Sequence, residues 1–336
     1  MGYIKLNKQS FFHNLDYFSS ICTKDKLSIA LKDNAYGHGT YETAVMCKEY
    51  GIKHIFVRTM KEAELIEQFG FESVLVLYDI PKSYNPNAVI SINSLEDIKK
   101  LPRKTKCEIK IDTGMNRNGI LKDEIKEAVS LIKENHLVVN GIFTHFCCAD
   151  EDNDITLKQE KLFLEAVEEL KQYICYGFRT HCANSAGAHI VDMSKYDLAR
   201  IGIGAYGYLD DMPQQEHLKP VMSLHGEKIA TKHIKKGDHI GYGSRAYVAP
   251  CDMTVSNYNI GYGDGFFRFD EKTKTTIQDG RDILGRVSMD SFSVKGDDEE
   301  VVVFDNVTTI AKSLNTITYT ILAMLNGRIP RIVSEM

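Results

Sequence analysis

The chain has 336 residues, 43% hydrophobic and 26% charged, with a net charge of −5 and no long basic run. That length suits a barrel with a satellite domain, the composition is that of a globular protein, and the acidic balance leaves no electrostatic footprint for nucleic acid. No apolar run nears the roughly 20 residues that span a bilayer, so no membrane role is expected, and the opening Met1-Gly-Tyr-Ile-Lys-Leu6 lacks the order of a signal peptide.

Residues 3–6 read as a strand that precedes the first helix. The apolar run Leu27–Lys32 then reads as a buried strand, and it breaks into Lys32-Asp-Asn-Ala-Tyr36-Gly-His-Gly39. A lysine at the carboxyl end of a buried strand is either a salt-bridged structural residue or a tuned amine. Desolvation favours its neutral form, which can form a Schiff base or take a proton.

Further strands are expected at His54–Val57, Ser73–Tyr78, Ala88–Ile92, Cys107–Asp112, Val138–His145, Gly177–His181 and Leu198–Ile203. Between them, Glu42–Glu49, Lys61–Gln68, Leu95–Lys100, Asp123–Glu134, Leu157–Gln172 and Asn184–Val191 carry apolar residues at helical spacing. Eight strands alternating with helices point to an α/β fold, a (β/α)8 barrel, with an open doubly wound sheet as the alternative. No G-x-G-x-x-G opens a helix after the first strand, so a dinucleotide site is unsupported.

The texture changes near residue 215, after which short β-like runs alternate with Gly and Asp turns: Met222–His225, Glu227–His233, Met253–Tyr262, Thr275–Ile277, Ile283–Ser288 and Val301–Phe304. One late helix is expected near Asn315–Leu325. We expect a barrel domain over residues 8–215 and a smaller β-rich domain over 216–336, with residues 1–7 pairing with the latter.

In such a barrel the active site lies at the carboxyl ends of the strands. Polar residues gather there: Lys32, then Lys110-Ile-Asp-Thr-Gly-Met-Asn-Arg117, Thr144-His145, His181 leading to Asn184-Ser185, and Arg200-Ile-Gly-Ile203. Each must be desolvated or paired, which makes five such strand ends an expensive coincidence. Ser185 is expected at a helix N-terminus, and Gly202 lets backbone N–H groups approach a phosphate. Asn-Ser pairs are also simple N-caps.

Lys32-Asp-Asn-Ala-Tyr-Gly-His-Gly39 resembles the pyridoxal-phosphate (PLP) attachment motif of the alanine racemases, and later segments match that family in order over nearly the whole chain. The resemblance implies that Tyr36, Asn184, Ser185, Gly202 and Ile203 hold the cofactor phosphate. It also implies that Arg117, within a DTGM-x-R-like segment, binds the substrate carboxylate. Lys110 matches a lysine often carbamylated in relatives; a plain salt bridge is the other reading.

Arg200 stands where many PLP enzymes place an acid beside the pyridine nitrogen. An arginine leaves that nitrogen unprotonated, which favours returning a proton to Cα over transamination. The other reading is a structural arginine paired with Asp197. Gly241-Tyr242-Gly243 resembles the turn that carries the second catalytic base. A phenol with a pKa near 10 needs help at neutrality, which His145 and Arg200 are implied to give as cationic or donor groups. Tyr262, in a GY-x-DG-like segment, and Met289 would line the substrate from the partner subunit of a homodimer.

Gly327 replaces a tyrosine that many relatives carry before Arg-x-Pro-Arg, which implies a substrate range widened toward serine. The implied activity is alanine racemisation with Lys32 serving the D-isomer and Tyr242 the L-isomer, supplying D-alanine to the cell wall. A fold-related PLP decarboxylase would need a catalytic cysteine and an acid in place of Arg200, and a non-catalytic PLP-binding barrel would lack the β domain. Eight cysteines with no C-x-x-C pair read as cytoplasmic thiols, and adjacent Cys147-Cys148 suits neither a metal site nor an ordinary disulfide. No metal is expected.

Overall fold

The structure, a computed structural model, describes residues 2–243, 247–269 and 273–335. Met1 of the expected 1–7 segment, and residues 244–246, 270–272 and Met336 of the expected 216–336 domain, lie outside the described residues. The contacts divide the chain into two compact units. One comprises Phe12–Asp33 and Thr43–Lys219. The other comprises Met1–Phe11, Asn34–Glu42 and Pro220–Met336.

With β1 at Tyr3–Asn7, the first unit holds eight strands: β2 (Leu27–Ala30), β3 (His54–Val57), β4 (Ser73–Val76), β5 (Ala88–Ile92), β6 (Lys106–Lys110), β7 (Val138–Phe143), β8 (Arg179–His181) and β9 (Ala199–Ile201). They form one parallel sheet in the order β8-β7-β6-β5-β4-β3-β2-β9. The two edges meet. The Asp197 and Arg200 amides donate to the carbonyls of Thr180 and Ala183, both at 2.9 Å, which closes the sheet into a barrel. Every residue of β2, β4 and β5 is buried, as strands covered on both faces must be, and this is why they read as unbroken apolar runs.

The helices between strands bury one stripe each. Ile125–Glu134 buries Ile125, Ala128, Val129 and Ile132, the spacing of a single helix face. Helix starts are set by side-chain caps. Thr59 and Glu62 form a reciprocal capping box before Met60–Leu65, and Asp152 caps Asn153–Lys171. The helix expected over Asn184–Val191 is only a 3-10 turn, Gly187–His189. Ser185 therefore stands at no helix N-terminus.

In the second unit β1 lies between β10 (Met222–Ile234), to which it is antiparallel, and the parallel Arg331–Ser334. The two runs expected at 222–233 are one 13-residue strand. It pairs with both Met253–Tyr258 and Glu300–Phe304, and a register shift in each pairing lets it bend between them. The sequence reading missed strands Phe292–Lys295 and Arg331–Ser334. The late helix is two, Thr308–Ser313 and Thr318–Ala323, because Asn315 adopts φ +50° between them and left-handed backbone ends a helix.

Candidate active site

Strand β2 stops at Ala30, and the chain enters a short helical turn, Lys32–Tyr36, that is left-handed. Asp33, Asn34, Ala35 and Tyr36 have φ of +54°, +55°, +51° and +51°. Left-handed backbone costs about 1–2 kcal/mol per non-glycine residue, least for Asn and Asp, so the surroundings must hold it.

On the barrel side the Asp33 amide donates to Glu62 Oε1 at 2.7 Å. The Asp33 carboxylate takes the Arg58 guanidinium at 2.7 Å and lies 4.0 Å from Lys32 Nζ. On the other side Thr40 N–H donates to Asn34 Oδ1 at 3.1 Å and Gly39 N–H to Asn34 O at 2.9 Å. Gly37 is required twice over, by its φ of +81° and because a Cβ there would lie 2.0 Å from the Leu322 carbonyl oxygen.

Burial draws the Lys32 amine below the ordinary lysine range, and Arg117 and Arg58 add to this against the pull of Asp33. The same cations reach other strand ends. Lys110 is drawn down to about 8 by burial, Arg117 and Arg200. His145 is pushed well below its usual value by burial, then Arg200, Lys110, Arg117 and Lys32. The structure thus brings Lys32, Lys110, Arg117, His145 and Arg200 into one electropositive field at the carboxyl ends of the strands. Such a field asks for an anion.

Lys110 Nζ donates to Asn118 Oδ1, and Asn118 Nδ2 to Asn93 Oδ1 at 3.0 Å. Arg117 is exposed on a turn tightened by Asp112, whose carboxylate accepts from the Gly114 and Asn116 amides.

Arg200 is the hub of the barrel interior. It donates to His181 Nδ1 at 2.6 Å, to the Thr144 carbonyl at 2.5 Å and to the Cys182 carbonyl at 3.2 Å, and lies 5.1 Å over the Phe143 ring. It does not take up Asp197, which instead accepts from the Thr180 amide and hydroxyl. Because His181 Nδ1 accepts from Arg200, its proton sits on Nε2, which faces Glu108 Oε2 at 2.7 Å. Glu108 also binds Arg179 at 2.8 Å. Burial keeps His181 neutral, while His181 and Arg179 hold Glu108 ionised against its own desolvation.

His145 Nδ1 faces Arg200 at 3.5 Å. Burial and the surrounding cations favour its neutral form, in which Nε2 carries the proton that can be donated.

Ser185 Oγ accepts from the amides of Gly202 at 3.0 Å and Gly204 at 3.2 Å. Its lone pairs are committed and its proton is left to donate. Asn184 Oδ1 accepts from Gly187 N–H at 2.7 Å. Ile203 is buried beside them, opening a 3-10 turn.

The remaining candidates lie in the β-rich unit. Tyr36 is buried, its ring 5.9 Å from that of Tyr319. Tyr242 follows the strand His239–Ile240 and is 64% exposed. Its turn is anchored by Ile240, packed with Ala249, Met253, Val255 and Leu284. Tyr262 and Met289 are neighbours: Tyr262 N–H donates to the Ser288 carbonyl at 3.1 Å and Gly263 N–H to the Met289 carbonyl at 2.8 Å.

Sequence reasoning missed Glu108 and Glu62. Glu108 was legible by period: two residues before Lys110 on one strand, it points to the same face. Among the described residues no group of three or more His, Cys, Asp or Glu could hold a metal ion, and no helix is long and apolar enough to cross a membrane.

Barrel, tuned lysine and cationic strand ends define a barrel site suited to an anionic group. Comparison with known proteins makes the class specific. Residues 6–210 match the family model "Alanine racemase, N-terminal domain" and residues 221–333 "Alanine racemase, C-terminal domain". The chain is 39% identical to an alanine racemase of Nitratiruptor sp., over 98% of this chain and 99% of that one. It is 35% identical to one of Campylobacter jejuni, over 99% and 100%. The solved alanine racemase of Bacillus anthracis with bound L-Ala-P superposes with a TM-score of 0.88 at 26% identity, covering 99% of this chain and 95% of that one. The chain belongs to the alanine racemase family.

Proposed function

We propose that the chain interconverts L- and D-alanine with PLP held on Lys32, and that two copies complete each other's sites. Family membership supports the reaction. One observation carries the residue assignment: Lys32, its amine drawn toward neutrality, shares a field of cations with Arg200, and the group at the hub of the barrel interior is a guanidinium rather than a carboxylate.

The donor set fits the cofactor. Lys32 offers an amine for its aldehyde. Ser185, with its proton free to donate, offers a phosphate contact, joined by Asn184, Gly202, Ile203 and Tyr36. When bound, PLP supplies a conjugated ring that draws electron density from the substrate Cα. Arg200 donates hydrogen bonds but carries no proton it can give up, so beside the ring nitrogen it would leave that nitrogen unprotonated and would favour return of the proton to Cα over transamination.

Arg117 holds the substrate carboxylate in a bidentate fork, and Tyr262 and Met289 of the partner subunit close over it. Lys32 Nζ moves the Cα proton on the face of the D-isomer, and Tyr242 Oη of the partner subunit moves it on the face of the L-isomer. His145 donates toward that phenol. Lys110, drawn down to about 8, reaches the neutral form that adds carbon dioxide more readily than an ordinary lysine, and we assign it as a carbamate that buttresses Arg117. Cysteines present as thiols throughout fit a cytoplasmic setting, where D-alanine feeds the cell wall.

The test mixes two impaired variants. Lys32→Ala should fail to produce D-alanine by chiral chromatography and Tyr242→Phe should be slowed by about 10²–10⁴-fold, and co-expression should restore activity through mixed dimers that keep one intact site. No recovery on mixing overturns the shared site, and racemisation by Lys32→Ala alone overturns the assignment.

One observation favours a wider range that includes serine. Among the described residues, a Cβ added to Gly327 would meet Asn34 Nδ2 alone, at an ordinary contact distance of 3.8 Å, so a side chain could be added there without a clash at Cβ. Gly327→Tyr should then lower the serine-to-alanine ratio of kcat/KM, and an unchanged ratio removes this reading.

A further inference from the structure

Cys147 and Cys148 lie on the loop after β7, two and three residues beyond His145. Cys147 is exposed and Cys148 half-buried, with sulfurs 3.3 Å apart. Their backbone is tied on both sides. Cys147 N–H donates to Gln159 Oε1 at 3.0 Å, and the Cys148 carbonyl accepts from the amides of Glu151 and Asp152 at 3.0 and 2.9 Å.

Both ties lead to the helix Asn153–Lys171, which carries Gln159 and is capped by Asp152. From Gln159 a buried relay runs inward. Its Nε2 donates to Thr113 Oγ1 at 3.2 Å, Thr113 Oγ1 meets Thr144 Oγ1 at 2.8 Å, and Thr144 Oγ1 donates to the Ile111 carbonyl at 2.8 Å. The Thr144 carbonyl is the one that Arg200 grips at 2.5 Å.

We infer that Cys147 and Cys148 are an oxidisable dithiol whose closure to a vicinal disulfide slows the racemase. This rests on the proposed function. The oxidant is a peroxide. The Cys147 sulfur attacks one peroxide oxygen and becomes a sulfenic acid as water leaves; the Cys148 sulfur then attacks the Cys147 sulfur and expels a second water. Two thiols and one hydrogen peroxide become one disulfide and two waters.

Burial, Cys147 and the carboxylates of Asp152 and Glu151 push the Cys148 thiol up to about 11. The exposed Cys147 therefore meets the oxidant and Cys148 resolves it. Adjacent Cα atoms are about 3.8 Å apart, closer than the roughly 4.4–6.8 Å of ordinary disulfides. The bond is thus strained and easily reduced, the mark of a regulatory rather than structural disulfide. Closing the ring fixes ψ of Cys147 and φ of Cys148. That shifts the Cys147 N–H against Gln159 and, through the relay, the carbonyl that positions Arg200.

The test treats the holoenzyme with hydrogen peroxide and reads both peptide mass after alkylation and racemisation. In wild type the peptide with both cysteines should lose the mass of two hydrogens and resist alkylation. Its kcat/KM should fall on the order of ten- to a hundredfold, and dithiothreitol should restore both. Cys147→Ser and Cys148→Ser should keep the reduced enzyme's rate and lose the reversible response. Pairing of either cysteine elsewhere, an unchanged rate in the closed form, or full reversible inactivation of the double serine variant overturns the inference. Failure of the racemase reading shows separately, as no activity in reduced enzyme before any oxidant.

Discussion

At the barrel end Glu108, His181 and Arg200 are 1%, 1% and 4% exposed and grip one another, whereas Tyr242, Tyr262 and Met289 in the β-rich unit are 64%, 40% and 55% exposed. Buried charges survive only when paired and hydrogen-bonded, so the first group is fixed before any ligand arrives. The second group is held by backbone, through the turn anchored at Ile240 and the amides facing Ser288 and Met289, while its side chains stay open. Activity and stability should therefore separate by region. Barrel-interior substitutions should cost both, and substitutions among the exposed side chains should cost activity alone.

The largest effect is expected at Lys32. Lys32→Ala should cut kcat/KM by more than roughly 10⁴-fold, since amine and base are lost together. Tyr242→Phe comes next, with a loss of about 10²–10⁴-fold in both directions. Its melting temperature should match wild type, because exposed substitutions stay within about 0.5 kcal/mol; a marked drop would place the ring in a packed core and break the comparison. Glu108→Gln is the converse. It leaves Arg179 and Arg200 with no buried counter-charge and should destabilise the chain by about 3 kcal/mol in urea unfolding, with Arg200 and hence the rate disturbed as well. Stability within error of wild type would refute the claim that this network is pre-fixed.

The same division decides what could be read from sequence. Strands buried on both faces announce themselves, and His54–Val57 and Ala88–Ile92 match to the residue. Lys32 announced itself because a charge ended such a run. The left-handed turn after it did not, since Asp-Asn-Ala-Tyr has no glycine to signal positive φ. Glu62, Arg58, Thr40 and the close approach to Leu322 hold it there.

Asn184–Val191 has helical periodicity but is bent into a 3-10 turn, with Gly187 packed against Phe146. Glu108 lay in plain view within an expected strand. Its meaning depends on Arg179 and His181, some 70 residues on, and no local pattern carries that. Tyr242, Tyr262 and Met289 were reached by resemblance alone, because an exposed side chain beside a glycine turn leaves no periodic trace.

The gentlest probe is pH, and it compares the two units directly. His181 in the barrel is held down to about 4 and His38 in the β-rich unit to about 3, in both cases chiefly by burial. Unfolded, each titrates near 6.5. Above that value both states are neutral at these positions and stability is full. Below it the unfolded chain takes up protons that the folded chain refuses, so stability falls as pH falls. The slope is about 1.4 kcal/mol per pH unit for each histidine, ending near 4 for His181 and near 3 for His38. Glu108, held at about 2 against its ordinary 4.5, joins only below 4.5, which leaves the window from 6.5 to 4.5 to the histidines. Urea midpoints across that window should decline. His181→Asn should make the decline shallower for the barrel, where the likewise depressed His145 continues to contribute, and His38→Asn should do so for the β-rich unit. A midpoint independent of pH there would mean that the folded chain protonates these rings freely, and that neither is buried as the structure has it.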